Sequence, residues 1–264
     1  MLKSTVSKYF QEFKFGLLSL LLFLFLSAIC VFTYYWTIHD QKQAKLKQLE
    51  VVGNLTYQDF IKIVHHNINS LEDLRERIVE SNGEFKKHLK SDTDRIIRQN
   101  QGIKFIEYIN NEAVITFINP FEPNREALNF NIKSHYRYPD WIADSKDTLT
   151  NITSWIDLTQ HGKAFLVDVP IYYDENFQGT ISAGMDFKPQ FDIISSKQNL
   201  FSVLIKDDKG KTFYSYNNPK PEIFKSNYIF SKPLYPLSIS SAGAWKFEFM
   251  FESNDELKAT TLQN

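Results

Sequence analysis

Phe15–Trp36 reads FGLLSLLLFLFLSAICVFTYYW, and this stretch decides how the rest of the chain is organised. It contains no charged residue, no proline and one glycine. As an α-helix it reaches about 33 Å, which is enough to cross the hydrocarbon core of a bilayer. The run ends in an aromatic belt at Tyr34, Tyr35 and Trp36 rather than in a small-residue cleavage site. We therefore expect a retained anchor and not a removed signal peptide.

The position of this span, rather than the charges around it, predicts on which side the chain lies. Three lysines precede the span and three follow it closely, so the positive-inside rule does not decide. A span this near the N-terminus normally acts as a signal anchor with its short end in the cytoplasm. We therefore expect residues 1–14 to be cytoplasmic, and the chain after residue 37 to lie outside the inner (plasma) membrane.

The composition of the 264-residue chain excludes several classes of protein. Its 30 Lys and Arg residues are balanced by 31 Asp and Glu residues, and no basic cluster is interleaved with aromatic residues, so we expect no nucleic-acid partner. The single cysteine, Cys30, lies within the span, which rules out an intrachain disulfide. The 23 phenylalanines and 13 tyrosines indicate β-strands around an aromatic core.

The polar segment after the span, from Ile38 to about Glu80, has helical spacing and no proline, which predicts one long helix or two. One stripe along it follows alternating steps of three and four: Tyr57, Phe60, Val64, Asn67, Leu71, Leu74 and Ile78. Such a stripe is typical of a homodimer seam in which a single Asn sets the register. A helix packed against its own domain has the same pattern, and the sequence leaves both interpretations open.

The remainder of the chain alternates between short apolar runs and turns. Ser81-Asn82-Gly83 should end the long helix, and Glu84 to Asn100 should form a second one. Two hairpins are predicted, one joining residues 103–109 to 113–118 and one around Asp207-Asp208-Lys209-Gly210. Further strands are expected at 151–155, 163–173, 177–187, 227–232 and 244–251, and a short helix at 191–194.

The last of these strands alternates strictly between two kinds of residue. Aromatic residues at 245, 247, 249 and 251 are interleaved with Lys246, Glu248 and Met250. This period of two predicts one buried face and one mostly wet face.

Three segments resemble extracellular sensor regions of the CHASE type, with some features of the related Cache sensors. They are FINPFEPNREAL at 117–128, TSWIDLTQHGKAFLVDVPIYYDENFQGTISAGMDF at 153–187, and AGAW at 242–245. The resemblance covers roughly residues 85–251 and departs from the family pattern at Asn129, where glycine is frequent. It implies a PAS-like fold carried by a receptor such as a histidine kinase, a diguanylate cyclase or a chemoreceptor.

These features together predict an α+β chain with a single N-terminal transmembrane helix, a long helix and two PAS-like antiparallel sheet subdomains. The larger subdomain should be membrane-distal and the smaller one membrane-proximal. The predicted boundaries are a cytoplasmic N-terminus at 1–14, the transmembrane helix at 15–36, a helical stalk with the sensor helix at 37–102, the larger subdomain at 103–199, the smaller sheet at 200–252 and a polar tail at 253–264.

Motifs that would indicate catalysis are absent from the sequence, which has no G-x-S-x-G, H-E-x-x-H or P-loop pattern. The neighbouring His65 and His66 point in different directions on a helix and do not form a zinc pair, and His161 is typical of a turn. Asn54 and Asn151 begin glycosylation sequons, which matter only in a eukaryotic secretory pathway. We expect no enzymatic activity, no cofactor and no metal in this region.

Strand alternation and the resemblance place nine polar or aromatic residues near the inner face of the larger sheet. They are Asn124, Tyr136, Arg137, Tyr138, Trp141, Trp155, Asp168, Tyr172 and Asp186. Arg137 is expected to pair with a carboxylate of a ligand, and Asp168 or Asp186 to receive an ammonium group. The alternatives are core packing for the tryptophans and tyrosines, a solvated loop for Arg137 and a turn hydrogen bond for Asp186.

The function that these observations favour is sensing. The chain is interpreted as the membrane-anchored extracytoplasmic sensory domain of a receptor that binds a small polar ligand and passes a small helix displacement or rotation through residues 15–36. The alternative is a membrane-tethered interaction protein whose PAS-like domain binds a protein partner. A roomy cavity lined by Arg and Asp would favour the sensor, whereas a filled core with an exposed apolar patch would favour the interaction protein.

Overall fold

A computed structural model describes residues 2–146, 148–158, 162–198, 200–218, 229–237 and 243–251, with side chains from residue 15 onward. Residues 49–252 form one compact unit, and residues 1–48 belong to a second. The predicted tail at 253–264 and the turn residue His161 lie outside the described residues.

A single α-helix, α1, spans Leu2–Glu80 and includes the whole predicted membrane span. It is the one helix in the described part of the chain that is long and apolar enough to cross a membrane, and its most apolar window has a mean hydropathy of 2.7 and is not buried. The hydroxyls of Ser19 and Thr33 donate to the backbone carbonyls of Phe15 and Ile29, one turn earlier. These bonds satisfy the polar side chains of the span internally, as an apolar solvent requires.

The end of α1 is where the sequence predicts it. Asn82 and Gly83 adopt φ angles of 48° and 83°, and the N–H of Gly83 donates to the carbonyl of Ile78 at 2.8 Å. This left-handed turn closes the last carbonyls of the helix. A 3-10 helix at Glu84–His88 and the helix α2 at Leu89–Gln99 then lead into the first sheet.

The first sheet is antiparallel and has six strands in the order β2-β1-β6-β5-β3, with β4 pairing to β5. Its strands are β1 (Ile103–Asn110), β2 (Ile115–Asn119), β3 (Asn151–Ile152), β4 (Ile156–Asp157), β5 (Lys163–Tyr173) and β6 (Asn176–Met185). The segment between β2 and β3 contains 3-10 helices at Glu122–Ala127 and Ile132–Ser134 and the helix α3 at Tyr138–Asp144. The helix α4, Lys188–Ser195, leads out of the sheet.

The second sheet is antiparallel and has four strands in the order β8-β7-β10-β9. Its strands are β7 (Phe201–Lys206), β8 (Thr212–Tyr216), β9 (Ile229–Leu234) and β10 (Trp245–Phe251). The predicted β7–β8 hairpin is confirmed, and its turn is closed by Asp207, whose Oδ1 accepts the backbone N–H groups of Lys209 and Lys211 at 3.0 and 2.8 Å. An Asp at this position mimics a backbone turn.

The predicted wet face of β10 is wrong. Glu248 is 5% exposed and Met250 is 0% exposed, so that only Lys246 of this face reaches solvent. β10 is an inner strand, and side chains of β7 and β9 flank this face on both sides: Glu248 is in register with Leu204 and Ser231, and Met250 with Ser202 and Ile229. The carboxylate of Glu248 is held by ion pairs to Lys206 at 3.3 Å and to Lys246 at 2.5 Å.

The apolar stripe of α1 packs inside its own compact unit. The ring of Phe60 stacks on that of Phe191 with centroids 4.1 Å apart, and Nδ2 of Asn67 donates to Oε1 of Gln190 at 3.0 Å. Six of the stripe residues are 0% exposed within one chain: Phe60, Val64, Asn67, Leu71, Leu74 and Ile78. The stripe is therefore packed within one chain, as the intramolecular interpretation expects, and these six side chains are not exposed to a second chain.

Candidate functional site

The candidate site is a cavity of about 80 Å³ against one face of the first sheet. Strands β1, β2 and β5 form its floor, and the segment from residue 126 to residue 137 covers it together with residues 156–158. Its lining is apolar at residues such as Phe105, Ile115 and Leu166, and it includes five ionisable residues: Glu107, Glu126, His135, Arg137 and Asp157. A mostly apolar wall with a few polar groups is the usual composition of a small-molecule site.

A polar row crosses the middle of this sheet face. Glu107 on β1 and Asp168 on β5 are both in register with Ser182 on β6, and Asn151 on β3 is in register with Asp168. Side chains in register on neighbouring strands share one face of a sheet. All of these residues except the half-buried Asn151 are at most 6% exposed, so the row lies within the packed part of the domain.

Arg137 reaches down from the segment before α3 and pairs with this row. Its Nη2 donates to Oδ2 of Asp168 at 2.9 Å, and the hydroxyl of Ser182 donates to Oδ1 of the same carboxylate at 2.5 Å. Both partners of the ion pair are shielded, with side-chain exposures of 17% for Arg137 and 6% for Asp168. Each oxygen of Asp168 therefore has a donor, which is what a buried carboxylate needs.

Glu107 is buried without such support. It is 6% exposed, lines the cavity, and its Oε2 has no hydrogen-bond partner among the described residues. Burial raises the pKa of Glu107 from its ordinary 4.5 to about 8, the charge of Asp168 adds to the rise, and Arg137 opposes it. At neutral pH the carboxyl group is therefore mostly protonated, because burial disfavours its charged form.

Two further titratable groups lie close to the row. His135 lines the cavity, and its pKa is lowered by burial and by the charge of Arg137. Asp144 accepts a hydrogen bond from Asn151 at the edge of the sheet, and its pKa is raised, chiefly by burial and also by the charges of Asp168 and Asp140. The surroundings of the row thus favour the neutral forms of Glu107, His135 and Asp144. Arg137 and Asp168 form an ion pair with each other.

The cover of the cavity is tied to the edge of the sheet by backbone hydrogen bonds. The N–H of Ile115 donates to the carbonyl of Phe130 at 3.0 Å, and the N–H of Asn129 donates to the carbonyl of Ile115 at 2.8 Å. Asn129 adopts a φ of 67°, which glycine and asparagine tolerate best and which explains why asparagine suffices where the resemblance has glycine. Ala127 of the cover and Trp141 of α3, which follows the cover, belong to one apolar cluster with residues of the sheet.

The structure brings four of the predicted site residues together. Arg137 and Asp168 form the ion pair of the polar row. The backbone N–H of Trp141 donates to the carbonyl of Arg137 at 2.9 Å, and its side chain is buried in an apolar cluster against which Tyr138 packs. The Nε1 of Trp141 is buried without a hydrogen-bond partner among the described residues. Of these four, only Arg137 lines the cavity; Tyr138 and Trp141 pack in α3, directly after the cover, as the core-packing alternative expected.

The other predicted site residues lie elsewhere. Asp186 follows β6, where its Oδ1 accepts the N–H of Lys188 and its Oδ2 pairs with Lys104 at 3.2 Å, so it has the turn role of the alternative interpretation and does not line the cavity. Tyr136 is 70% exposed. Trp155 packs against Phe213 of the second sheet, with ring centroids 5.9 Å apart.

Asn124 and Tyr172 have local partners away from the cavity. Asn124 is 7% exposed and donates to the carbonyl of Pro120 at 2.8 Å, which stabilises the 3-10 helix at Glu122–Ala127. The hydroxyl of Tyr172 donates to the carbonyl of Ser145. Tyr172 also lines a second, larger cavity of about 660 Å³ between α1 and the C-terminal part of β5, together with Glu72 and Arg75.

Glu107 is the site residue that the sequence analysis missed. It stands alone as a charged residue in the apolar run IKFIEYIN of β1, apart from the exposed Lys104 near the start of the strand. An ionisable residue inside a predicted buried strand is a signal for an internal polar site, because such a residue is rarely fully buried without a purpose.

Comparison with known proteins supports the fold. No protein-family model matches the chain, and no curated protein matches it. Among solved structures, the sensory domain of the Campylobacter jejuni chemoreceptor Tlp3 (CcmL) with isoleucine bound has a TM-score of 0.59 at 13% identity, over 84% of this chain and 98% of that chain. The ligand-binding domain of the Pseudomonas aeruginosa PAO1 amino acid chemoreceptor PctC in complex with GABA has a TM-score of 0.56 at 10% identity, over 78% and 99% of the two chains.

A third structure extends well beyond the matched region. An extracellular ligand-binding receptor from Desulfohalobium retbaense DSM5692 has a TM-score of 0.58 at 12% identity, and the match covers 77% of this chain but 40% of that chain. At such identities the likeness shows the fold alone. That fold is the α+β, PAS-like architecture of Cache-type extracellular sensor domains, with two antiparallel sheets after a long N-terminal helix, as the sequence predicts.

Proposed function

We propose that this chain is the membrane-anchored, extracytoplasmic sensory region of a signal-transduction receptor, of the histidine kinase or diguanylate cyclase type. It binds a small polar ligand in the cavity between Glu107 and Arg137. Residues 1–14 are cytoplasmic and residues 15–36 cross the inner (plasma) membrane. Residues 103–199 form a membrane-distal subdomain and residues 200–252 a membrane-proximal one, and the CHASE-type resemblance of 117–128 and 153–187 is retained as part of this proposal.

The observation that carries this proposal is the buried polar row under the cover of the first sheet. A core built for stability alone would place apolar side chains there, because burying Glu107, Asp168 and Arg137 costs more than their mutual attraction returns. The row instead borders a cavity whose remaining wall is apolar except for His135 and the exposed rim residues Glu126 and Asp157. Buried ionisable groups beside a cavity are characteristic of binding sites.

The order of contacts along α1 supports the route of the signal. The hydroxyl of Tyr57 donates to the carbonyl of Pro233 in the second sheet at 3.1 Å, and further along the helix Glu72 accepts from Thr150, just before the first sheet's β3, at 2.6 Å. The same helix that carries the predicted span therefore runs past both sheets. A change in the cover of the cavity has a mechanical path to α1 through these contacts.

The interaction-protein alternative has less support. The large apolar side chains that are more than 40% exposed outside the span come from separate segments, among them Leu55 on α1, Phe121 before the cavity cover and Ile193 on α4. A cavity lined by Arg137 and Asp157 is present, as the sensor hypothesis expects, but its volume of about 80 Å³ is smaller than the roomy cavity of that hypothesis. These observations favour a small-molecule ligand over a protein partner.

The test is a ligand screen on the full chain, purified in detergent micelles and followed by tryptophan fluorescence during heating. Amino acids, amines, small carboxylates and purines are screened at high concentration, since a ligand at 100 times its Kd stabilises the native state by about 2.7 kcal/mol. Ala127→Leu, which fills the cavity without changing charge, should abolish the response. The proposal fails if no compound raises the melting temperature (Tm), or if the filled variant responds as strongly as the wild type.

A further inference from the structure

We propose that the cavity binds a small organic cation, a primary alkylammonium, which pairs with Glu107 as that residue gives up its proton. The proposal rests on the proposed function, since it names the class of ligand for the same cavity. It assigns the recognition role to Glu107 rather than to Arg137. Proton release on binding is its distinctive consequence.

The charges of the polar row do not balance when Glu107 is ionised. Two carboxyl groups, Glu107 and Asp168, face one guanidinium, Arg137, in the buried part of the described chain. Arg137 and Asp168 already pair with each other at 2.9 Å. If Glu107 is ionised, the row therefore carries one uncompensated negative charge. A bound monocation brings the sum to zero, whereas a bound carboxylate doubles the excess.

The group that lacks a partner is the carboxyl of Glu107, whereas the guanidinium of Arg137 already has one in Asp168. Glu107 lines the cavity, and its Oε2 is buried and has no donor among the described residues. An ammonium group supplies three N–H donors together with the missing positive charge. A carboxylate ligand would have to compete with Asp168 for Arg137 and would leave Glu107 unsatisfied.

Other titratable groups lie around Glu107. Asp168 and Asp144 lie along the row, His135 and Arg137 come from the cover, and the exposed Glu126 and Asp157 stand at the rim of the cavity. The pKa of His135 is lowered from 6.5, so His135 is neutral above pH 7 and supplies no cation there. Among the described groups named here, the only cation is therefore Arg137, and it already pairs with Asp168.

The residues around the cavity favour an organic cation over a metal ion. No group of three or more His, Cys, Asp or Glu residues in the described chain is arranged to hold a metal ion. Both oxygens of Asp168 are already engaged, by Arg137 and by Ser182. The rest of the wall is apolar at Phe105, Ile115 and Leu166, which suits an alkyl chain.

The size of the cavity sets the length of that chain. Its volume of about 80 Å³ holds roughly five to eight water molecules. A ligand with about five non-hydrogen atoms therefore fills it, and n-butylammonium is a suitable probe. 1-Butanol, butyrate and alanine are similar in size and differ in charge.

The experiment uses the full chain in detergent micelles and measures binding of these four probes by calorimetry between pH 7 and pH 9 at constant ionic strength. n-Butylammonium should bind most tightly. Its affinity should rise by up to tenfold per pH unit until Glu107 is ionised and should level off above pH 8. Near pH 7, titrations in two buffers with different ionisation enthalpies should show release of close to one proton.

Glu107→Gln should weaken the binding of n-butylammonium at least tenfold and remove its pH dependence, whereas Glu112→Gln, in the exposed turn between β1 and β2 and outside the cavity lining, should change neither. If Glu107→Gln does not fold, the test is whether the wild type releases close to one proton on binding n-butylammonium near pH 7; no release would overturn the cation assignment. Tighter binding of butyrate or alanine, or an unchanged affinity in Glu107→Gln, overturns the cation assignment. If none of the four probes binds but the wider screen finds a ligand, only this assignment fails; if that screen also finds nothing, the proposed function fails with it.

Discussion

Glu107 on β1 and Asp168 on β5 both stand in register with Ser182 on the strand between them. Two carboxyl groups therefore rise from the same sheet face, on backbones about 10 Å apart. Asp168 has an arginine partner and Glu107 has none among the described residues. This asymmetry makes Glu107 the group in the row that burial drives into its neutral form.

The first prediction is that Glu107 makes the stability of the domain depend on pH. Its folded-state pKa of about 8 lies above its ordinary value of 4.5. Because the folded-state pKa is the higher one, protonated Glu107 stabilises the fold. This contribution is complete below pH 4.5 and is lost as the pH rises towards 8, by up to about 1.4 kcal/mol per pH unit. The Tm of the wild type should therefore fall relative to that of Glu107→Gln between pH 5 and pH 8.5.

The matched control for that comparison is Glu126→Gln, which removes an exposed carboxylate from the rim of the same cavity. Its Tm should follow that of the wild type at every pH. Parallel curves for the wild type and Glu107→Gln would show that Glu107 titrates normally.

The second prediction concerns the buried ion pair. Arg137→Ala leaves the 4% exposed Asp168 with only the hydroxyl of Ser182 as a donor. Removing one partner of a buried pair costs about 3 to 5 kcal/mol of unfolding free energy. Arg125→Ala breaks the exposed pair with Glu122 and should cost less than about 1 kcal/mol. Denaturant titrations of the two variants should differ accordingly, and equal losses would mean that the Arg137–Asp168 pair is not buried in solution.

A double variant separates the loss of the pair from the loss of arginine packing. Arg137→Met with Asp168→Asn removes both charges and keeps most of the side-chain volume. It should recover a large part of the stability lost in Arg137→Ala, because no charge is left buried alone. The hydroxyl of Ser182 keeps an acceptor in this double variant, since the new side-chain amide carries a carbonyl oxygen.

Features that depend only on residues close together in the sequence could be predicted from it. The end of α1 at Asn82 and Gly83 and the hairpin closed by Asp207 follow from local backbone chemistry, and the structure confirms both. The membrane span follows from composition alone. These elements need no knowledge of what packs against them.

Features that depend on strand order could not be predicted in this way. The pairing of β1 with β6, distant in sequence, is what brings Glu107 level with Ser182 and Asp168. Asp186 was predicted to share the cavity, but β6 ends at Met185, one residue before it, so its side chain serves the turn. The burial of Glu248 likewise follows from the inner position of β10, which alternation cannot reveal.

The third prediction is that Gly53 cannot be replaced in α1 without loss of stability. A Cβ at this position would lie 2.8 Å from the ring of Phe230 and 3.0 Å from that of Phe249. Alanine gains about 1 kcal/mol in helix propensity over glycine, but overpacking typically costs about 1 to 3 kcal/mol. Gly53→Ala should therefore lower the Tm. At Gly16 an added Cβ meets nothing within 4 Å, so Gly16→Ala should leave the Tm unchanged or raise it; an equal loss of stability in both variants would refute the close packing at Gly53.

The fourth prediction tests which side of the membrane the sheets occupy. Alkaline phosphatase fused after Asn264 should be active in a bacterial host, because the enzyme matures only outside the cytoplasm and the proposed topology exports everything after residue 37. A fusion made after Lys14, before the span, should be inactive. A fluorescent green fluorescent protein after Asn264 would reverse the assignment of sides.

The fifth prediction concerns the stripe of α1, which the structure places inside one chain. In a Cys30→Ser background, single cysteines at Asn67 and Leu71 should be protected from maleimide in the folded protein, since both positions are 0% exposed. Leu55→Cys, on the same helix and 60% exposed, should react at least about 100-fold faster, because buried positions react only after local opening. Oxidation in membranes should leave the Leu71 cysteine monomeric. A disulfide-linked dimer through Leu71, or equal labelling of positions 55 and 71, would show that the stripe is open to another chain.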